Sequence, residues 1–389
     1  MGGTSSGSER AGKTRESKAR ESKSIDLARE RLRSQRLVGA AFAKPEEVVG
    51  WLGVVQAQDY AGAKWAVAQR TKACSDETVE QACSDGRILR THVLRPTWHL
   101  VLPADIRWML ALSAPRIRAA MAFYDRRLGL TDAVCARSAD ALTKALRGGN
   151  HLTRTELARV LAAAGIPAAG QRLGHLMVRA EIDAVICNGA RRGKQFTYAL
   201  LDERAPAAPP RERDDALREL AHRYFTSHGP ALANDFAWWS GLTVADARRA
   251  IDLARPRLRE VTVGGKRYWR GISSPPLPAR RPIVHLLPNY DELVVAYGDR
   301  SASIDATRLK NIGSWAMVIA NNLVAVDGRA VGGWRRVVEK KAVVVETLLR
   351  RPLDAAERAG LRAAAERLEA FLGAPVTLRP ALDKKALRG

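Results

Sequence analysis

Gln56 and Gln58, in the run Gln56-Ala57-Gln58-Asp59-Tyr60, have the most unusual spacing for their residue type in this sequence. An amide side chain donates and accepts hydrogen bonds but is no general base near neutral pH. The chemistry open to the pair is therefore hydrogen-bonded positioning, not proton abstraction. Amides also bridge helix ends, and taken alone the pair reads as such a bridge. Other catalytic signatures are absent: there is no HExxH, no P-loop and no GxSxG. Cys74, Cys83, Cys135 and Cys187 form no CxxC pair, and no histidine lies near them at metal-ligand spacing. They read as buried free thiols of a reducing cytoplasm, with neither metal nor cofactor implied.

Two glutamines two positions apart point to opposite sides of a helix and to the same side of an extended strand. They can converge only at a junction between helices. The sequence places them there, after the apolar pattern 46–55 (Val48, Val49, Leu52, Val55) and before a helix that Asp59 is placed to cap. These helices belong to a plan that recurs. Its clearest copy is 151–201. Thr153 and Glu156 form a capping box ahead of Leu157, Val160 and Leu161. A second helix carries Leu173, Leu176, Met177 and Ile182. Strands Ala184–Cys187 and Phe196–Leu200 then flank a turn bearing Arg191, Arg192 and Lys194. Helix, turn, helix and basic hairpin make a winged helix. The same order occurs at 230–272. Pro230 opens a helix, Thr243 caps the next, and Gly264-Gly265 signals a hairpin that carries Lys266, Arg267 and Arg270. A third copy at 25–102 has helical patterns at 46–55, 60–69 and 77–83 and a hairpin-like pair, Arg90–Leu94 and Trp98–Leu102.

The expected fold is α+β, mostly α: three tandem winged-helix units followed by a small sheet with a helix on it. The units occupy 25–130, 131–205 and 206–389, after a disordered basic tail at 1–24. Further breaks lie at 203–214 and 274–282. In the last unit, Leu323–Val326, Val331–Val338 and Ala342–Leu349 read as strands and 354–372 as a helix. Trp238, Trp239 and Trp315 read as core.

The 389 residues include 64 Lys and Arg against 41 Asp and Glu, a net charge of +23. A polyanionic partner follows, with nucleic acid first and an anionic membrane surface as the rival. No apolar run reaches the roughly 18 residues of a membrane-spanning helix, and the N-terminus has no signal-peptide core. Wing cations at Arg191, Arg192, Lys194, Lys266 and Arg267 are placed to meet phosphates. The expectation is a cytoplasmic, nucleoid-associated protein.

Three elements then carry a family resemblance. They are Val54-Val55-Gln56-Ala57-Gln58-Asp59, Arg95-Pro96-Thr97-Trp98-His99-Leu100, and Leu287-Pro288-Asn289-Tyr290-Asp291-Glu292 leading to Tyr297-Gly298-Asp299-Arg300. Over roughly 25–372 the chain resembles the AlkZ-like and YcaQ-like winged-helix DNA glycosylases, in the Gln-x-Gln branch. The resemblance implies three winged helices around a concave DNA-embracing surface. It assigns catalysis to Gln56 and Gln58 and lesion or DNA contacts to Thr97, His99, Arg95 and Arg300. It implies a monomer acting, without cofactor, on double-stranded DNA with alkylated or crosslinked guanine. A glutamine can orient a water, as in some GTPases, and an N7-alkylated guanine needs little more to leave. With no lysine beside the motif, the enzyme would be monofunctional.

Taken without the resemblance, His99 reads as a hydrogen-bonded strand residue, Asp59 as a helix cap, and Tyr290, Asp291 and Arg300 as a structural acid–base cluster. The competing reading of the whole chain is a non-catalytic winged-helix transcriptional regulator, although no dimerisation coiled coil is present. A protein–protein scaffold is the third reading.

Overall fold

A computed structural model describes residues 25–39, 41–272, 282–305, 322–339 and 342–380. The tail at 1–24, almost all of the break at 274–282, and Trp315 lie outside the described residues. After α1 (Leu27–Ser34), one order of elements appears three times. The first copy is α2 (Pro45–Leu52), β1 (Val54–Gln56), α3 (Tyr60–Ala68), α4 (Asp76–Ser84), β2 (Leu89–His92) and β3 (Trp98–Val101). Its antiparallel sheet runs β1-β3-β2. A long helix, α5 (Pro103–Arg127), leads to the second copy.

That copy comprises α6 (Asp132–Leu146), β4 (Leu152–Thr153), α7 (Arg154–Ala163), α8 (Gly170–Ile182), β5 (Ile186–Asn188) and β6 (Thr197–Leu200), with the equivalent sheet order β4-β6-β5. After α9 (Leu201–Arg204), the third copy has α10 (Arg213–His228), α11 (Ala233–Ser240), α12 (Val244–Ala254), β7 (Leu258–Val263) and β8 (Lys266–Gly271). Its first strand has shrunk to a single bridge from Ala231 to Trp269. Helix, strand, two helices and a hairpin is winged-helix order.

Local chemistry explains the boundaries. Thr153 caps α7 and Glu156 closes the capping box. Ser75, Thr131 and Thr243 cap α4, α6 and α12 through their side-chain oxygens. Gly264 and Gly265, at φ 54° and 75°, take the left-handed conformations that a tight hairpin requires. Two expectations shift. The pattern 46–55 is not one helix: α2 stops at Leu52, Gly53 turns the chain at φ 83°, and Val55 points into the core from β1. Nor does Pro230 open a helix. It follows α10, and α11 begins at Ala233, because Ala231 is committed to pairing with β8.

The C-terminal part forms a five-stranded sheet in the order β13-β12-β11-β10-β9. The strands are β9 (Val284–Leu287), β10 (Leu323–Val326), β11 (Arg329–Val338), β12 (Val343–Leu349) and β13 (Val376–Pro380). The four pairings are antiparallel except β12 with β13. A short helix, α13 (Glu292–Val295), follows β9, and α14 (Ala355–Leu372) packs on the sheet. Apolar burial links these parts. Val54, Leu89 and Val93 of the first copy share one core with Tyr224, Phe225, Phe236 and Trp239 of the third. The second copy keeps a separate core around Leu142, Leu157 and Leu176. Trp65 of α3 enters the core of the C-terminal sheet. The first copy is thereby wedged against both the third copy and the sheet.

Candidate active site and nucleic-acid interface

Gln56 ends β1, and Gln58 lies in the three-residue link before α3, whose first turn Asp59 caps by accepting from the Gly62 amide at 3.1 Å. The junction is therefore a strand-to-helix one, and it divides the pair. Gln56 is 6% exposed, whereas Gln58 faces solvent. The reason is the register of β1 on β3, which pairs Gln56 with His99 in the middle of a buried sheet.

Gln56 is fixed at both ends. Its backbone N–H donates to Glu292 Oε1 at 2.9 Å, and its side-chain Oε1 accepts from Arg95 Nη2 at 2.8 Å. The next residue is clamped as well: Ala57 N–H donates to Trp98 O at 2.7 Å, and Ala57 O accepts from Arg90 at 3.1 and 3.2 Å. Arg95 Nη2 also lies 3.4 Å from His99 Nε2, and His99 Nδ1 lies 2.9 Å from Thr97 O. Thr97 O can only accept, so Nδ1 carries the proton and Nε2 offers a lone pair to Arg95. Burial, with the Arg95 charge adding to it, pushes the His99 pKa well below that of a free imidazole. His99 is thus a neutral, fully buried acceptor that reaches the site through Arg95. Arg95 Nε and Thr97 Oγ1 are buried without a hydrogen-bond partner among the described residues.

Glu292 ends the Leu287-Pro288-Asn289-Tyr290-Asp291-Glu292 element, and no local signal marks its role. It is fully buried. Besides Gln56 N–H it accepts from Trp239 Nε1 at 3.1 Å, and His228 Nε2 stands 3.4 Å away. Burial holds the His228 pKa below its ordinary value despite that carboxylate. One buried carboxylate thus ties the first copy's Gln56 to the third copy's Trp239.

The expected cluster of Tyr290, Asp291 and Arg300 does not form. Asp291 pairs with Arg70 through two hydrogen bonds of 2.9 and 3.0 Å, both side chains being buried. Tyr290 adopts φ 58°, a left-handed turn after which Asp291 caps α13. Arg300 instead donates to Val294 O and Gly298 O and lies over the Trp238 ring at 4.9 Å. Trp238 is likewise not core: 46% of it is exposed, whereas Trp239 is fully buried. Phe236 and Trp239 are three apart on α11 and share its inward face, which leaves Trp238 turned aside.

The wing cations are mostly engaged with carboxylates. Arg191 meets Glu80 at 3.1 Å and packs over Tyr60 and Phe196, joining the second wing to the first copy. Arg192 pairs with Glu156, Lys266 with Asp299 and Arg267 with Glu260. Lys194 is exposed at the tip of the second wing. Lys266, Arg267, Asn234, Asp235, Gly298 and Asp299 line an open groove of about 760 Å³. Among the described residues no helix is long and apolar enough to cross a membrane. Cys83, Cys135 and Cys187 are buried free thiols, and burial pushes Cys83 up to about 11 and Cys187 up to about 12.

The family described as "DNA glycosylase AlkZ-like" matches residues 49–371. A curated relative from Streptomyces sahachiroi, the "Interstrand DNA cross-link repair glycosylase", is 28% identical over 330 residues, which is 81% of this chain and 88% of the relative. The solved structure of the Streptomyces sahachiroi DNA glycosylase AlkZ superposes with a TM-score of 0.75 at 23% identity, covering 92% of this chain and 98% of that one.

Proposed function

This chain belongs to the AlkZ-like DNA glycosylases, and on that premise we propose that it hydrolyses the N-glycosidic bond of N7-alkylated purines in double-stranded DNA. Bulky adducts and interstrand crosslinks are within that substrate class, as the name of the curated relative suggests. N7-alkylation makes the purine cationic and its bond to the sugar weak. Departure leaves an oxocarbenium-like sugar, as in glycoside hydrolysis. The enzyme then needs a placed water and no proton donor for the base.

The observation that supports this reading is the different setting of the two glutamines, Gln56 buried and held by Arg95 and Gln58 exposed. Arg95 occupies Gln56 Oε1, so Gln56 has its amide N–H to offer. Gln58, exposed two residues on, has a free choice of donor or acceptor. A water that accepts from Gln56 Nε2 and donates to Gln58 Oε1 keeps a lone pair for the anomeric carbon. Its proton passes to solvent as the C–O bond forms. Neutral His99 holds Arg95, and Arg95 holds Gln56. The amine in this part of α3, Lys64, is neutralised by Asp76 at 2.7 Å and Glu80 at 2.9 Å. That favours a monofunctional hydrolase over a Schiff-base lyase.

The test is single-turnover base release from duplexes carrying N7-alkylguanine or a guanine crosslink. The wild type releases the base. Gln58→Ala and Gln56→Ala each slow release by roughly 10²–10³-fold, the usual cost of losing one preorganised hydrogen-bonding group at a reacting centre. Variants as fast as the wild type would overturn the water-positioning role, and a wild type inert on every such duplex would overturn the activity.

A further inference from the structure

We propose that Trp238 is a stacking platform for a nucleobase of the lesion-bearing duplex, with Arg300 as its cationic backing. This rests on the reading of the chain as an enzyme of damaged duplex DNA. The indole is unusual among the aromatic residues of α11. Phe236 and Trp239 are fully buried, while Trp238 is 46% exposed. It is nonetheless held rigidly: its Nε1–H donates to Val295 O at 2.9 Å. The Arg300 guanidinium lies 4.9 Å from the ring centroid and is itself anchored to Val294 O at 3.2 Å and Gly298 O at 3.4 Å. A large, flat, preorganised ring left open to water is suited to stacking, because little side-chain freedom remains to be lost on binding.

The surroundings point to a nucleic-acid base as the occupant. Val295, which fixes the indole, belongs to the same single turn of helix as Glu292, which fixes Gln56. The platform is therefore tied to the Gln56 end of β1 through one short element. Arg300 Nη2 and Arg95 Nε are buried donors without partners among the described residues. The Arg300 guanidinium lies over the ring, and a cation there suits a base whose sugar carries phosphates on both sides. The groove bearing the wing residues Lys266 and Arg267 includes Gly298, where an added Cβ would lie 3.6 Å from the Trp238 Cβ. A duplex held on that wing has Trp238 at the edge of its path. Stacking on such a ring is indifferent to base identity, since every base presents a π-face.

Three variants separate stacking from folding. Trp238→Ala removes the ring, Trp238→Phe keeps a ring but loses the hydrogen bond, and Trp238→Leu restores apolar bulk without a π-face. The readout is 2-aminopurine fluorescence in a duplex holding a tetrahydrofuran abasic analogue. The probe is placed in turn 5′ to, 3′ to and opposite the gap, so the measurement does not depend on base release. At one of these positions the wild type and Trp238→Phe quench the probe, and Trp238→Ala and Trp238→Leu do not. The latter two also bind the duplex about tenfold or more weakly, within the range measured for loss of one base-stacking residue. Equal quenching by all four proteins, or binding restored by Trp238→Leu, would overturn the proposal. Neither result bears on Gln56 and Gln58, whose failure is read by base release alone.

Discussion

Glu292→Gln is the most informative single substitution outside the glutamine pair. The carboxylate accepts from Gln56 N–H at 2.9 Å through one oxygen and from Trp239 Nε1 at 3.1 Å through the other. A glutamine of the same shape has one acceptor and one donor, so one of the two N–H groups must face an NH₂. Losing a buried hydrogen bond to a charged group costs about 1.5–3 kcal/mol. If the amide turns its oxygen to Trp239, the loss falls on Gln56 and loosens the end of β1. If it turns the other way, the loss falls on the core shared by the first and third copies. The expected result combines both. Urea unfolding loses about 2 kcal/mol, and single-turnover base release at saturating enzyme slows about tenfold, which corresponds to about 1.4 kcal/mol in the barrier. Affinity for an abasic-analogue duplex should change less than about twofold, because Glu292 is buried away from any DNA. The split between rate and affinity separates positioning from general unfolding. A variant with the wild-type unfolding midpoint and rate would refute the claim that this carboxylate positions Gln56.

Two further outcomes follow from buried titratable groups. Asp291→Asn leaves Arg70 charged and enclosed without its carboxylate, and breaking a buried pair from one side costs about 3–5 kcal/mol; an unfolding midpoint within error of the wild type would show that the pair contributes nothing. His285 donates from Nε2 to Leu37 O at 3.0 Å, and burial, followed by the nearby Arg367 charge, lowers its pKa to about 4. The unfolded chain takes up that proton below about pH 6.5 and the folded one does not, so stability falls as pH falls through this window. His285 alone should remove about 2 kcal/mol between pH 7.5 and 5, and equal urea midpoints at those two pH values would contradict its being held neutral.

Much of the frame is written in short-range signals. Thr153 with Glu156, Thr243, Asp59 and Gly264-Gly265 each act on backbone within a few residues, so their effect is legible without tertiary context. The boundary of α2 is not legible in the sequence because Val55 continues the apolar pattern of a helix after the backbone has already turned at Gly53. The site was legible as a motif but not as a mechanism. That Gln56 would be buried and Gln58 exposed depends on the pairing of β1 with His99 on β3. The partners of Asp291 and Glu292 were beyond reach, since Arg70 lies 221 residues from Asp291 and Gln56 lies 236 from Glu292. Trp238 is a different case. The three-residue spacing of Phe236 and Trp239 already marks the inward face of α11, and a helical-wheel reading would have set Trp238 apart.

The 236-residue span between Gln56 and Glu292 also sets an order of assembly during synthesis. At about 5–20 residues per second, Glu292 leaves the peptidyl-transfer centre on the order of 10–50 s after Gln56. Throughout that interval the end of β1 lacks its carboxylate anchor, and for most of it Val54 and Leu89 lack the third-copy half of their core. A nascent chain that stops short of Glu292 therefore carries both glutamines without the carboxylate that holds the end of β1. In a chain of the AlkZ-like DNA glycosylase family, the frame around the glutamine pair stays incomplete until Glu292 has been made.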